Sequence, residues 1–480
     1  MKLNKETILN LITEHKQEDI ISANKLVEKD IYYRPEYHIA PPNGLLNDPN
    51  GLVYLNGEHY INYQWSPLQP YHGMKHWRLV KTKDFLNYND LGISVIPTEE
   101  FERTGAFSGS AFKESDGVKI YYTGNIEENG EMIEECQIKA DFIDEQIVNK
   151  RVVVQHDANL FTPHARDPKI FEYKNNKYMI FGVQCKDTLK GGLALYKTKD
   201  FEKYTFDRIL RPSIKEETYG HMWECPNLDY LDGKMLFMMS AEGWFNVKNE
   251  YELNNSRNVV YTQLEEIDLE NNKLNEKSVL KTMDYGHDFY APQTYFADDK
   301  LIMIGWLGAV DVQYPTDEYS WHSMLTIPRE LSWSNDILVQ KPYSVFKQSV
   351  ISNTKIIKTN KIDIKKSIHF EFELSDDLEL KLLNDQNEFI EIKFTNDEII
   401  FDRSNQGAEV DWDFETLRKA IRKYKRQKVE IFIDASAIEI FADNYETIFT
   451  SRFFVKDFNR IELNKETQLI VSETNKMIIK

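Results

Sequence analysis

A chain of 480 residues, 41% hydrophobic and 13% aromatic, exceeds one ordinary core and points to two domains. Its formal net charge of -19 argues against a general nucleic-acid or anionic-membrane partner, but not against a small anionic ligand held by local charges. Three cysteines, Cys136, Cys185 and Cys225, argue against a disulfide framework. With no apolar run of signal-peptide or membrane-span length, the expectation is a cytoplasmic protein.

Residues 1–32 read as a helical leader in which Ile8, Leu11 and Ile12 share a face and Leu26 and Val27 recur. From residue 33 to 342 the texture is β-rich: short apolar runs such as "GLVYLNGEHYINYQW", "KYMIFGVQ" and "LIMIGWLG" alternate with Asn, Asp, Gly and Lys. The first of these follows "GLLNDPNG", Gly44 to Gly51, whose Asn, Asp, Pro and Gly are turn residues. Related clusters recur: Asp48 in "LNDPNG", Ser108 in "AFSGSA", Asp167 in "ARDPKI", Glu224 in "WECPNL" and Asp288 in "HDFYAPQT". Their spacings are 60, 59, 57 and 64 residues, longer than the ~40–50 of short propeller repeats but suited to four-stranded blades with generous loops. Five such units predict an all-β, five-bladed propeller whose innermost strands begin at the clusters and converge on one cavity.

Residues 343–352 read as a linker. Over 353–480 the period-two alternation of Ile368, Phe370, Phe372 and Leu374 predicts a β-sandwich. Within it "RKAIRKYKRQK" places seven Lys or Arg between Arg418 and Lys428. The stretch reads as a solvated basic face, with anion binding or subunit contact as the alternatives.

Three clusters supply carboxylates. Hydrolysis of a sugar bond needs one carboxylate that stays ionised and one that delivers a proton. Asp48, flanked by Asn47, Asn50 and turn N–H groups, suits the ionised nucleophile. Glu224, set among Met222, Trp223, Cys225 and Pro226, suits an acid raised by desolvation. Asp167 follows Arg166, but neighbours on a strand point to opposite faces, which leaves Asp167 open to sugar hydroxyls. Trp65, Trp77, Phe107, Trp223, Tyr290 and Trp306 supply flat faces for sugar C–H groups.

In order along the chain, "HIAPPNGLLNDPNG", "NYQW", "FSGS", "ARDPKI", "MWECPN", "DFYAPQT" and "IPREL" resemble the β-fructosidases of glycoside hydrolase family 32. "AIEIFADNYETIFTSRFF" resembles that family's C-terminal sandwich. The resemblance implies a five-bladed propeller plus sandwich and a retaining double displacement. It implies Asp48 as nucleophile, Glu224 as acid/base and Asp167 as transition-state stabiliser. Asn47, Gln64, Trp77, Phe107, Ser108 and Arg166 match the fructosyl subsite, and no metal or organic cofactor is implied. Fructose as the released sugar comes from the resemblance alone.

The run "YHGMKHWR" is similar to bacterial members that act on sucrose 6-phosphate. His72, Lys75, His76 and Arg78 are therefore candidate phosphate contacts. Arg78-Leu79 departs from the aromatic or Gly followed by His that relatives usually carry there. The alternatives are a fructan-directed exo-hydrolase or transferase and, from another class, a non-catalytic sugar-binding propeller. The expected partner is a small sugar, and the sequence does not separate a monomer from a homodimer.

Overall fold

The computed structural model describes residues 10–213, 220–244, 249–309, 312–410 and 415–480. The helical reading of residues 1–9, Ile8 included, lies outside these. The leader contributes a 3-10 turn, Ile12–Glu14, and a helix, Gln17–Val27. It is pinned where the Ile12 amide donates to His76 Nε2 at 3.2 Å and Asn43 donates to Asn24 at 2.6 Å.

The rest is all-β in class, propeller-like sheets followed by a sandwich-like sheet, with a short helix, Ser344–Val350, in the segment read as a linker. The first propeller-like sheet is built on Gly44–Leu55, Glu58–Ser66, His76–Thr82 and Asn87–Val95, with two short parallel additions at its edges. The sheets beginning at Gly105–Glu114, Phe161–Tyr173 and Met222–Leu231 are four-stranded meanders. The one beginning at Tyr290–Ala297 has five strands, one off the main path. The expectation of four-stranded units needs correction at the first and last sheets, which carry extra strands that the three plain meanders lack.

A second correction concerns the clusters. "GLLNDPNG" is not a turn; it opens a twelve-residue strand. In each first strand two residues oppose one on the neighbour: Asn47 and Asp48, Phe107 and Ser108, Asp167 and Pro168, Cys225 and Pro226, Ala291 and Pro292. These are β-bulges, which bend a strand and re-aim its side chains. Proline is tolerated there because the ladder already lacks a donor, which accounts for Pro168, Pro226 and Pro292, whereas Pro49 follows its bulge and stands opposite Tyr63. Close approach between sheets supports the fourth bulge: a Cβ on Gly182 would lie 1.6 Å from the Trp223 carbonyl oxygen.

The C-terminal ten-stranded sheet folds around Phe370, Phe372, Leu380, Ile392, Ile431 and Ile440, all buried, as the alternation predicts. The basic stretch is not a solvated face throughout. Leu417–Ile421 is a strand, Arg418 is buried and donates to Asn255 at 3.0 and 2.7 Å, and Arg422 caps backbone carbonyls of Thr395, Tyr424 and Lys425. Asp288 is also reassigned. Rather than facing the cavity it accepts from Arg403 at 2.6 Å, the Arg452 amide at 2.8 Å and Tyr314 at 2.6 Å, joining the propeller-like sheets to the sandwich. No helix among the described residues is long and apolar enough to cross a membrane.

Candidate active site

Residues in or next to these bulges line one cavity of about 810 Å³. It is lined by Asn47, Asp48, Gln64, His72, Lys75, Phe107, Ser108, Arg166, Asp167, Glu224, Tyr290 and Trp306 among the sequence-predicted residues. Asp48 sits in a closed hydrogen-bond circuit. Ser108 Oγ donates to its Oδ2 at 2.5 Å and Asn47 Nδ2 to its Oδ1 at 3.1 Å. Gln64 donates to Ser108 at 2.8 Å, and Asn47 also donates to Gln64. With the Cys225 thiol 3.7 Å from Oδ2, the donors are side chains of three sheets, rather than turn amides. Asn50 plays a different part. It donates to the Asp48 carbonyl and accepts from the Gly109 amide, tying the first sheet to the second.

The bulge at Asp167, whose φ is 69°, overrides simple alternation, so that Arg166 and Asp167 both reach the cavity. Arg166 Nε and Nη2 donate to one Glu224 oxygen at 3.1 and 2.9 Å, while Nη1 reaches buried Glu135 at 3.3 Å. Asp167 Oδ2 accepts from the Cys225 amide at 2.8 Å. Tyr290 donates to the other Glu224 oxygen at 2.5 Å, and Arg257 Nη1 lies 3.4 Å from the same atom.

These contacts reverse the electrostatics expected from sequence. Burial pushes Glu224 up, but the Arg166 and Arg257 guanidiniums and the Tyr290 hydroxyl prevail and hold it at about 2. Burial raises Asp48, against the pull of Ser108 and Lys75. Burial, with Glu224 and Asp48 nearby, raises Asp167 to about 8 despite Arg166. The apolar sequence neighbours of Glu224 do not decide its charge, because cations arrive from other sheets.

Five predicted contacts lie elsewhere. Trp77 is fully buried, packs on Tyr122 and donates to the Phe107 carbonyl at 3.2 Å, backing the site without lining it. His76 is buried between Met74 O and the Ile12 amide. Arg78 is paired with Asp90 at 2.5 Å and stacked on Trp65. Of the four candidate phosphate contacts, only His72 and Lys75 line the cavity, their side chains 2.7 Å apart. Burial lowers Lys75 to about 8. Trp65 and Trp223 are core residues rather than cavity walls.

Sequence reading missed Arg257, Thr104, Glu127, Asn129, Gly130 and Met132 on the cavity wall. It also missed Glu135 and Glu242 behind the arginines. Arg257 opens the third strand of its sheet, Arg257–Leu264, outside every bulge motif, so only the fold places it. Elsewhere, His369, Glu371 and Glu430 come together in the sandwich, but Lys347 bridges both carboxylates, so the group is an ion-pair network.

Carboxylates from three strands meeting in one cavity, with amide and hydroxyl donors and aromatic walls, define the class of a carboxylate-based glycoside hydrolase. The chain belongs to glycosyl hydrolase family 32: the family's N-terminal domain matches residues 38–342 and its C-terminal domain residues 338–476. It is 34% identical to the sucrose-6-phosphate hydrolase of Vibrio alginolyticus over 89% of this chain and 88% of that one. It is 30% identical to the sucrose-6-phosphate hydrolase of Bacillus subtilis over 92% and 95%. Its structure is similar to that of sucrose-6-phosphate hydrolase from Lactobacillus gasseri, with TM-score 0.92, 25% identity and 99% and 100% coverage.

Proposed function

We propose that this chain is a β-fructofuranosidase that releases fructose from sucrose 6-phosphate and sucrose by a retaining double displacement. The convergence of Asp48, Asp167 and Glu224 from three bulged strands on one cavity carries this reading. In it, Asp48 attacks the anomeric carbon of the fructosyl unit while Glu224 gives a proton to the departing glucosyl oxygen. The covalent fructosyl ester is then hydrolysed by water that Glu224 deprotonates. Asp167 accepts fructosyl hydroxyls. Asn47 Oδ1, buried and without a hydrogen-bond partner among the described residues, offers a further acceptor in the circuit around Asp48.

The phosphate preference rests on the cations at the cavity wall and on relatives named for that substrate. Product analysis on sucrose, its 6-phosphate and inulin tests the assignment. Fructose from the first two is expected, and release from inulin alone would overturn it in favour of a fructan hydrolase. Lys75→Ala is expected to lower kcat/KM for the phosphate ester more than for sucrose, by on the order of 10-fold in the ratio; an unchanged ratio removes Lys75 from phosphate binding.

We read the successive sheets as a closed five-bladed ring, supported by the parallel pairing of Gly44–Leu45 with Trp321–His322. We divide the chain into leader, propeller and sandwich at 32 and around 343–352, a division supported by the family boundary near 342. A cytoplasmic enzyme, monomeric or homodimeric and without nucleic-acid or membrane partners, fits the three unpaired buried cysteines and the net charge of -19.

A further inference from the structure

Arg257 belongs to no motif, yet it lines the cavity beside the acid/base candidate. Its Nη2 pairs with Glu242 Oε1 at 2.9 Å and its Nη1 with Glu224 Oε2 at 3.4 Å. Its side chain is 23% exposed, against 8% for Arg166. Arg166 is anchored by Glu135, Glu224 and His164, and its Nη2 also lies 3.5 Å from Glu242 Oε2. The longer Glu224 contact and greater exposure make Arg257, which also lies over the Tyr290 ring at 6.0 Å, the guanidinium of the two placed to meet a ligand in the cavity. A guanidinium matches a phosphate monoester through paired, charge-assisted hydrogen bonds.

We propose that Arg257 is a specificity-determining residue that couples recognition of a sugar phosphate to proton loading of Glu224. Before a sugar binds, Arg257 holds the Glu224 carboxylate. When a phosphorylated glucosyl group enters, Arg257 turns to its phosphate oxygens and Glu224 takes one proton from solvent. The dianion brought beside the carboxylate favours the neutral acid in the same direction as the loss of the guanidinium. An unphosphorylated sugar leaves Arg257 on Glu224. This inference rests on the phosphate reading above and adds a role for that group in chemistry as well as in binding.

Other charges also face Glu224, and of these only Lys75 is expected to meet the phosphate as well. They are Arg166 and Asp167 on one first strand, Asp48 on another, Tyr290 on a third, Lys75 from the loop before His76–Thr82, and Glu242 behind Arg257. Glu135 and His164 stand behind Arg166.

The test uses the full chain and its variants Arg257→Gln and Arg257→Lys, with thermal unfolding as the check on folding. Glu224 must be protonated to act as an acid, so activity falls as pH rises through its titration. In the wild type the alkaline limb of kcat is expected at higher pH for sucrose 6-phosphate than for sucrose. Arg257→Gln should lower kcat/KM for the phosphate ester by on the order of 10- to 100-fold. It should also move the alkaline limb of kcat/KM for sucrose, which has no ionisable group of its own, to higher pH. Arg257→Lys keeps the charge without the paired donors and is expected to fall between. A wild type that does not distinguish the two sugars overturns this inference together with the phosphate reading. A wild type that does distinguish them, with a ratio and sucrose limb unmoved in both folded variants, overturns the role of Arg257 alone.

Discussion

Asp48→Asn is expected to abolish fructose release, with kcat falling on the order of 10⁴-fold or more, while the protein stays folded. The amide keeps the size of the side chain but cannot form the fructosyl ester. The second expectation is that the inactive variant is more stable than the parent. Burial already raises Asp48, so its charge is held in place at a cost that an amide does not carry. Asp167 should relax too, since Asp48 is one of the charges raising it. Because Asp167 titrates at about 8 when folded and at 3.8 in the ordinary state, the native chain binds more protons than the unfolded one between those values. Stability from this group therefore declines as pH rises across that window. Glu224 has the opposite sign: held at about 2, it stabilises above its ordinary range and loses that contribution only on acidification. Urea unfolding of the parent, Asp48→Asn and Asp167→Asn from about pH 4 to about pH 8 should show the decline in the parent and a flatter curve in Asp167→Asn. Measurable turnover by Asp48→Asn, or equal slopes in all three proteins, would remove Asp48 as nucleophile or Asp167 as the high-titrating group, respectively.

Much of this site was legible because its chemistry sits on repeated short motifs. The spacing of Asp48, Ser108, Asp167 and Glu224 placed them on successive first strands, and all four line one cavity. What misled was local conformation. Asn, Asp, Pro and Gly are shared by turns and bulges, and only the neighbouring strand, with one residue opposite two, separates these. Asp288 followed the spacing but not the direction, since the bulge of its strand falls at Ala291 and Pro292 and brings Tyr290 to Glu224 instead. Charge was least legible. The state of Glu224 depends on Arg166, 58 residues away, and Arg257, 33 away, and on hydrogen-bond geometry that no window around "WECPN" contains. Arg78 and His76 were basic and close in sequence to Lys75, but the strand alternation and the leader turn took them elsewhere. The sandwich was legible from its alternation, because burial of one face dictates a period of two. Arg418 was not, because its buried partner, Asn255, comes from the propeller-like sheets.

The largest stability effect is expected at Arg329, in the "IPREL" motif. Its side chain is fully buried, donating to Asp284 at 3.1 Å and Gln340 at 2.9 Å through Nη1, and to Glu439 at 2.7 Å and Thr450 at 2.5 Å through Nη2. Asp284 and Arg329 belong to the propeller-like region, while Glu439 and Thr450 belong to the sandwich. Glu439 is also bonded by His38 at 3.1 Å, and the His38 ring reaches Asp434 at 2.8 Å. Arg329→Ala leaves two buried carboxylates without their shared cation, and removing one member of such a group costs about 3–5 kcal/mol. The loss should depend on pH. Burial pushes Glu439 up, but Arg329 and His38 hold it below its ordinary range; without Arg329 it rises, as does Asp284, already raised by burial. Raised carboxyls destabilise once ionised, so the gap between variant and parent should be widest at neutral pH and narrow on acidification. Adding Glu439→Gln to Arg329→Ala removes one uncompensated charge and should recover part of the loss, a coupling that a double-mutant cycle measures directly. Urea unfolding at neutral and acid pH is the assay. A gap below about 1 kcal/mol, or one of equal size at both pH values, would mean that apolar packing between the two regions, rather than this ion network, holds them together.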